Sequence, residues 1–170
     1  MSFPVKVAEA VKELMFGVGS QVDNPLVWHI AIKRSSAFTG ATTNAHGDIT
    51  GTGNPYTLFT VTGDVLIKGI WGIVNVNLTG ASGTVEVGVT GNTAALLAQE
   101  TATELDDGGV FVSATQAVGV APLAASGALI ALNDGLDIIE TVATTDISAG
   151  QIDYYVIWAA AEPGASVVPA

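Results

Sequence analysis

Alternating hydrophobic and polar residues are the strongest signal in this chain, and they are clearest over Asp64–Thr90. Val74, Val76 and Leu78 alternate with asparagines, and beyond a glycine-containing turn at Thr79–Gly83 three valines alternate with polar residues or glycine. A period of two puts the valines on one face of a strand and the polar residues on the other. The pattern predicts an antiparallel β-hairpin that buries one face and supplies the core.

The stretch Val65–Ile73 differs because it is apolar at both parities and contains Trp71. A strand of this kind is buried on both faces, or a neighbouring subunit covers its second face. Leu26–Arg34 also predicts a strand. Its residues divide into one face with Leu26, Trp28, Ile30 and Ile32 and another with Val27, His29, Ala31 and Lys33.

Several shorter segments are also predicted as strands. Tyr56–Thr62, Val110–Val120 and Gln151–Ala160 have suitable composition and are bounded by turn residues. In the last of these, one apolar face is formed by Ile152, Tyr154, Val156 and Trp158.

Turn residues predict a second hairpin near the end of the chain. Ala128–Leu132 and Leu136–Ala143 flank Asn133–Gly135, and an Asn-Asp-Gly turn between apolar runs favours a hairpin. Asp106–Gly109 is predicted as a turn of its own. Asn92–Leu105 is ambiguous, because its alanines, leucines and glutamates favour a helix whereas its threonines favour a strand.

Ser2–Phe16 is the one segment with helical periodicity. Ser2 can cap the helix, Pro4 fits its first turn, and Gly17 ends it. A helix of about 13 residues is not stable alone, so this one must dock on its own sheet or on a partner. Its apolar residues are therefore candidate partner contacts: Val7, Val11, Leu14 and Met15.

Ser35–Pro55 is a polar segment rich in glycine, threonine and serine. A loop of about 20 residues in a compact domain is usually functional or mobile. We expect it either to contact a partner or to be disordered until bound. Phe38, His46 and Tyr56, within it and just after it, complete the candidate partner contacts.

Together these elements predict a mainly β protein, an antiparallel β-sandwich or jelly-roll-like barrel of eight or nine short strands with a short N-terminal helix. We expect residues 1–20 to form a helical arm and residues 21–160 the β-sandwich domain. Residues 161–170 are expected to form an extended C-terminal tail rich in alanine and proline.

The charge balance excludes one class of partner. The chain has 16 acidic residues and five Lys or Arg, which gives a net charge of −11. Nucleic-acid backbones are bound by clustered basic residues, whereas the five here are scattered, so we expect no direct nucleic-acid binding. No run approaches the roughly 20 apolar residues of a membrane span, and the N-terminus does not resemble a signal peptide. We expect a soluble protein made in the cytoplasm.

No motif in the sequence predicts catalysis, a metal or a cofactor. His29 and His46 are far apart, neither HExxH nor G-x-S-x-G occurs, and His46 is predicted to be a polar loop histidine. The aspartates near Asp107 and Asp134 are explained as turn residues, because the EF-hand pattern is missing. Without cysteines, disulfides and thiolate metal sites are impossible. We therefore expect a non-enzymatic protein.

Three tryptophans keep a carbohydrate-binding module open as an alternative. Trp28, Trp71 and Trp158 each lie in a predicted strand and could form a platform on which sugars stack. Trp28 and Trp158 lie on otherwise apolar faces of their strands, which favours packing in the core.

Three segments carry a resemblance to a known class of protein: TGDVLIKGIWGIVNVNL, GTVEVGVTGNTAALLA and NDGLDIIETVATTDISAGQIDYYVIW. Over Asp64–Trp158 the chain resembles small virion proteins of tailed bacteriophages, and among these it is most similar to capsid decoration (cement) proteins. The likeness is one of general sequence character, without a diagnostic motif.

The resemblance implies a protein on the outer capsid surface, made in the host cytoplasm. Its partner would be the major capsid protein, and it would act as a homo-oligomer, with a trimer favoured. It would stabilise contacts between capsomers, using the Ser2–Phe16 helix and the Ser35–Pro55 loop for contact. A tail or fibre-associated virion protein is the alternative within the same class.

Overall fold

The described part of the chain forms two antiparallel β-sheets of five strands each. A computed structural model describes residues 28–34, 37–113 and 130–170. Within these ranges there is no α-helix, and the one helical turn is a 3-10 turn at Ala102–Glu104. The strands are β1 (Trp28–Arg34), β2 (Tyr56–Thr62), β3 (Val65–Thr79), β4 (Thr84–Val89), β5 (Asn92–Thr101), β6 (Val110–Phe111), β7 (Ile130–Leu132), β8 (Ile138–Ala143), β9 (Ala149–Ala160) and β10 (Ser166–Pro169). The prediction of a mainly β, antiparallel fold is confirmed.

The longest strand, β3, lies at the centre of the first sheet. Sheet A has the order β1–β9–β3–β6, and β7 pairs with the other end of β3. The β3–β9 ladder runs from the pair Val65 and Ala160 to the pair Thr79 and Ala149, with three shifts of register. Sheet B has the order β10–β2–β8–β4–β5.

Both sheets contribute to a single hydrophobic core. The valines of β4 and the predicted apolar face of β9 are buried, as their alternation predicts. Val76 is an exception, because the β3–β9 ladder shifts register on both sides of it and leaves it 51% exposed. The largest fully buried side chains include Leu58, Phe59, Ile67, Leu97, Phe111, Ile138, Ile147, Ile152 and Tyr154.

The two predicted hairpins do not form, although the chain turns at both predicted places. β3 and β4 follow each other closely, but β3 belongs to sheet A and β4 to sheet B. The Asn133–Gly135 turn likewise joins β7 of sheet A to β8 of sheet B. Gly135 has a φ of 76°, and the N–H of Leu136 donates to the carbonyl of Asn133 at 3.1 Å. Both connections therefore carry the chain from one sheet to the other.

The ambiguous segment after β4 forms the paired partner of that strand. β4 and β5 are antiparallel neighbours, joined at Thr90 and Gly91. Gly91 has a φ of 88°, which glycine adopts at little cost. Asn92–Leu105 is thus a strand followed by the 3-10 turn, since the pairing with β4 outweighs the helix propensity of its alanines and leucines.

The polar segment that follows β1 is folded against its own domain from residue 37 to residue 55. The N–H groups of Phe38 and Gly40 donate to the carbonyls of Gly150 and Ile147, both at 3.0 Å. The Asn54 side chain donates to the carbonyl of Val142 and accepts from its N–H, at 2.8 and 2.9 Å. The expectation of disorder until binding is wrong for these residues, because backbone and side-chain hydrogen bonds fix them on the sheets.

The C-terminal residues form part of sheet B. The predicted C-terminal tail is extended, but Ser166–Pro169 pair with β2 as the edge strand of sheet B and so belong to the domain. The predicted helix Ser2–Phe16 lies outside the described residues, as does most of the predicted strand Val110–Val120.

Candidate functional site

A buried polar cluster joins the two sheets to the segment between β1 and β2. Glu140 lies on β8 and Tyr154 on β9, and both are almost fully buried. The Tyr154 hydroxyl donates to Oε2 of Glu140, and Nε2 of His46 donates to Oε1. Each carboxylate oxygen of Glu140 therefore has a donor, which a buried carboxylate requires.

His46 is held between two aromatic rings. Its ring centroid lies 4.2 Å from that of Phe38 and 4.1 Å from that of Tyr56, with both pairs stacked. The structure thus brings together three predicted partner contacts, but Phe38 and His46 are buried and Tyr56 is half-buried. Their side chains anchor the segment to its own domain. The other four candidates, Val7, Val11, Leu14 and Met15, lie outside the described residues.

Burial beside Glu140 changes the acidity of the Tyr154 hydroxyl. Burial, and then the negative charge and hydrogen bond of Glu140, raise the pKa of the Tyr154 hydroxyl well above its usual value of 10.0. Deprotonating the hydroxyl would place a second negative charge beside a buried carboxylate, so the folded protein retains this proton. The hydroxyl therefore acts as a fixed donor.

This raised pKa predicts a loss of stability in alkaline solution. Above pH 10 the unfolded chain releases the Tyr154 proton while the folded chain keeps it, so the folded state binds more protons and stability falls as pH rises. We expect this residue to contribute up to about 1.4 kcal/mol per pH unit in that range. Unfolding in urea between pH 8 and about 11 should show a shallower decline for Tyr154→Phe than for wild type. Tyr155→Phe serves as the control, and an equally steep decline in Tyr154→Phe would contradict the assignment.

A second carboxylate organises the backbone of the same segment. The N–H groups of Asn44 and Thr50 both donate to Asp48 at 2.8 Å, and the Thr50 hydroxyl donates at 2.9 Å. The backbone donor of Thr50, followed by that of Asn44, holds the pKa of Asp48 below its usual 3.8. Asp48 therefore stays charged and keeps the segment folded.

The buried cluster lacks access for a substrate. His46, Glu140 and Tyr154 are at most 8% exposed, and their mutual hydrogen bonds use the groups that could transfer a proton. Among the described residues, no three His, Asp or Glu side chains are arranged to hold a metal ion. The hydrogen bonds of this cluster hold β8, β9 and the segment between β1 and β2 together. His46 is a buried structural residue rather than the predicted polar loop histidine.

A different part of the molecule has the character of an interaction surface. The side of sheet A that does not face the core, here called the outer face, carries apolar residues from four strands. They are Trp28 and Ile30 of β1, Tyr155 and Ile157 of β9, Leu66, Trp71 and Ile73 of β3, and Val110 of β6. Trp28, Ile30 and Val110 are exposed and the other five are half-buried. Partly exposed apolar surface that extends over several strands marks sites of interaction with other molecules.

The residues of the outer face lie in rows that the strand register fixes. Ile30 is paired with Ile157, and Trp71 is paired with Tyr155, whose ring stacks on the indole at 5.4 Å between centroids. Ile30 is 68% exposed and Val110 is 53% exposed, so the two margins of the face are the most accessible. Lys68 Nζ lies 5.1 Å from the centroid of the Trp28 ring.

The position of Trp28 corrects the prediction from its strand. Trp28 is 40% exposed and lies on the outer face, whereas Trp158 is buried as predicted. β1 is at the edge of sheet A, and its residue Ala31 packs against the core. Trp28 and Ile30 thus contribute to the outer face.

Comparisons with known proteins assign no family. No family model matches the chain, and no curated protein or solved structure is significantly similar to it. Among the described residues, none of the helical structure is long and apolar enough to cross a membrane.

Proposed function

We propose that this chain is a non-enzymatic structural protein of a tailed-phage virion, and specifically a capsid decoration protein. The observation that carries the proposal is the outer face of sheet A, an apolar surface that reaches both margins of the sheet. A domain that works as a subunit of an assembly has a use for such a surface, because burying it against protein stabilises the assembly. The resemblance over Asp64–Trp158 supports the virion as that assembly.

In this proposal the two sheets pack as a β-sandwich, which accords with the single core to which both contribute. The chain binds the major capsid protein on the outer surface of the shell and stabilises contacts between capsomers. The predicted Ser2–Phe16 helix supplies shell contacts through Val7, Val11, Leu14 and Met15. In the segment from residue 37 to residue 55, Phe38 and His46 are buried, so its shell contacts come from the exposed residues 41–44.

Deletion of Met1–Gly19 tests the role of the N-terminal segment. We expect the shortened chain to keep its sheets, because the described strands and the described core residues all follow the deleted segment. It should fail to cosediment with capsids that lack the decoration protein, whereas the full chain should cosediment. Circular dichroism before sedimentation serves as the folding control. Undiminished binding by the folded, shortened chain would contradict the proposed role of the segment.

A carbohydrate-binding module is the second candidate, and one observation favours it. Trp71 and Tyr155 form a stacked, half-buried pair on the outer face, and aromatic rings of this kind can pack against sugar rings. This candidate predicts quenching of tryptophan fluorescence when glycans are added. A tail or fibre-associated role would instead be recognised by a low copy number in the particle.

A further inference from the structure

We propose that the outer face of sheet A binds the same face of a second copy of this chain. The inference goes beyond the proposed structural role and departs from the trimer that the resemblance implies, because a contact between identical faces joins two copies. It rests on the structural role for its biological meaning. Its test uses the purified chain alone, so it can fail or succeed independently of binding to a capsid.

The extent of the face fits a second sheet. Its apolar residues extend from Ile30 at one margin to Val110 at the other, across β1, β9, β3 and β6. A sheet face that spans several strands can pack against another sheet face, as in aligned packing of one sheet on another. A second copy of this chain carries such a face.

The distribution of charge favours a second copy over a basic partner. The chain has a net charge of −11, so two copies repel each other wherever their acidic surfaces meet. Asp153 is the one carboxylate that the strand register places on the outer face, and it is buried. The other acidic residues of the described ranges lie in sheet B or in loops. Two copies can thus approach closely through this face, whereas a basic partner is attracted to the acidic parts of the surface.

The size of the face indicates how tight the association is. Four strands at about 4.8 Å spacing, over about eight residues at 3.3 Å each, give roughly 20 Å by 25 Å. Two such faces bury on the order of 1,000 Å² in total, which is at the low end for specific interfaces. We therefore expect a reversible association that depends on concentration.

Sedimentation equilibrium of the full chain over a range of concentrations tests this interface. We expect an average mass above that of the monomer, rising with concentration. Raising the salt from about 0.05 M to about 0.5 M should strengthen the association, because it screens the repulsion between acidic copies. Association through basic residues would instead weaken as the salt concentration rises.

Two matched variants locate the interface. Ile30→Glu places a negative charge at the most exposed apolar position of the outer face and should weaken association by about tenfold or more. Val168→Glu adds the same charge at a residue of β10 that is 47% exposed and lies in sheet B, and it should leave the association within about twofold of wild type. Thermal unfolding confirms that both variants are folded.

Two results would overturn the proposal. One is a chain that stays monomeric at every protein and salt concentration. The partner of the outer face would then be residues of the same chain outside the described ranges, or a different protein. The other is association that Ile30→Glu and Val168→Glu affect equally, which would place the contact elsewhere on the molecule.

Discussion

Replacing Glu140 by alanine is expected to lower the free energy of unfolding by about 3–5 kcal/mol. The substitution removes both acceptors of the buried cluster, so the Tyr154 hydroxyl and Nε2 of His46 lose the partner they share. A small domain is stable by only about 5–15 kcal/mol in total, so the loss should be visible at once in urea unfolding followed by tryptophan fluorescence.

Two comparisons show whether the loss comes from the hydrogen bonds. Glu140→Gln keeps nearly the same volume and one good acceptor, so it should cost less than alanine, about 1–3 kcal/mol. Glu104→Ala, at an exposed position of the 3-10 turn, removes a carboxylate that solvent reaches and should cost less than about 0.5 kcal/mol. If Glu140→Ala and Glu104→Ala had the same effect, the buried cluster would not hold the sheets together.

Replacing Phe38 by alanine is expected to cost about 3–5 kcal/mol and to loosen the segment between β1 and β2. Phe38 is 1% exposed and covers one face of the His46 ring. The truncated side chain would leave a cavity beside the buried cluster and remove a main hydrophobic contact of the segment. Hydrogen exchange should then speed up at the amides of Thr39 and Gly40, which donate to His46 and Ile147.

Ile49→Ala provides the matched control, because Ile49 lies in the same segment but is 36% exposed. We expect it to cost less than about 1 kcal/mol and to leave exchange at Thr39 and Gly40 unchanged. Slow exchange at these amides in folded Phe38→Ala would show that backbone hydrogen bonds alone fix the segment.

The strands of this protein could be predicted well from local pattern. Tyr56–Thr62 is a strand with the predicted bounds, and the apolar face of β9 is the buried one. Alternation and turn residues act within a few positions, so they are visible in a single sequence. The two hairpin predictions are wrong because the pairing of these strands is not decided locally. Turn residues show that the chain reverses, but the choice of sheet depends on partners far along the sequence, such as β9 for β3 and β8 for β4.

The buried cluster had one weak local signal. His46 and Glu140 are 94 positions apart, and His46 lies in a segment whose composition is that of a polar loop. Only the folded arrangement places Glu140 inside the core and His46 against it. That signal is a glutamate in the mostly apolar strand β8, Ile138–Ala143, because a buried carboxylate needs donors from elsewhere.

The outer face was partly visible in the sequence. Val65–Ile73 is apolar at both parities, which predicts burial on both faces or cover by a neighbouring subunit. Trp71 and Ile73 lie half-buried on the side away from the core, and cover by a neighbouring subunit stays a prediction. For β1 the pattern was misleading, since Trp28 and Ile30 resemble core residues. Alternation identifies the apolar face of an edge strand but does not reveal whether its own domain or another molecule buries that face.

Quantifying this chain in density-banded virus particles, by mass spectrometry against the major shell protein, tests the proposed virion role most directly. We expect a copy number comparable with that of the shell protein, because a decoration protein occupies positions repeated over the whole capsid. A few copies per particle would place the chain at a tail or a vertex. Its absence from the particles would contradict the virion role and leave the outer face, with Trp71 and Tyr155, to be explained by another ligand.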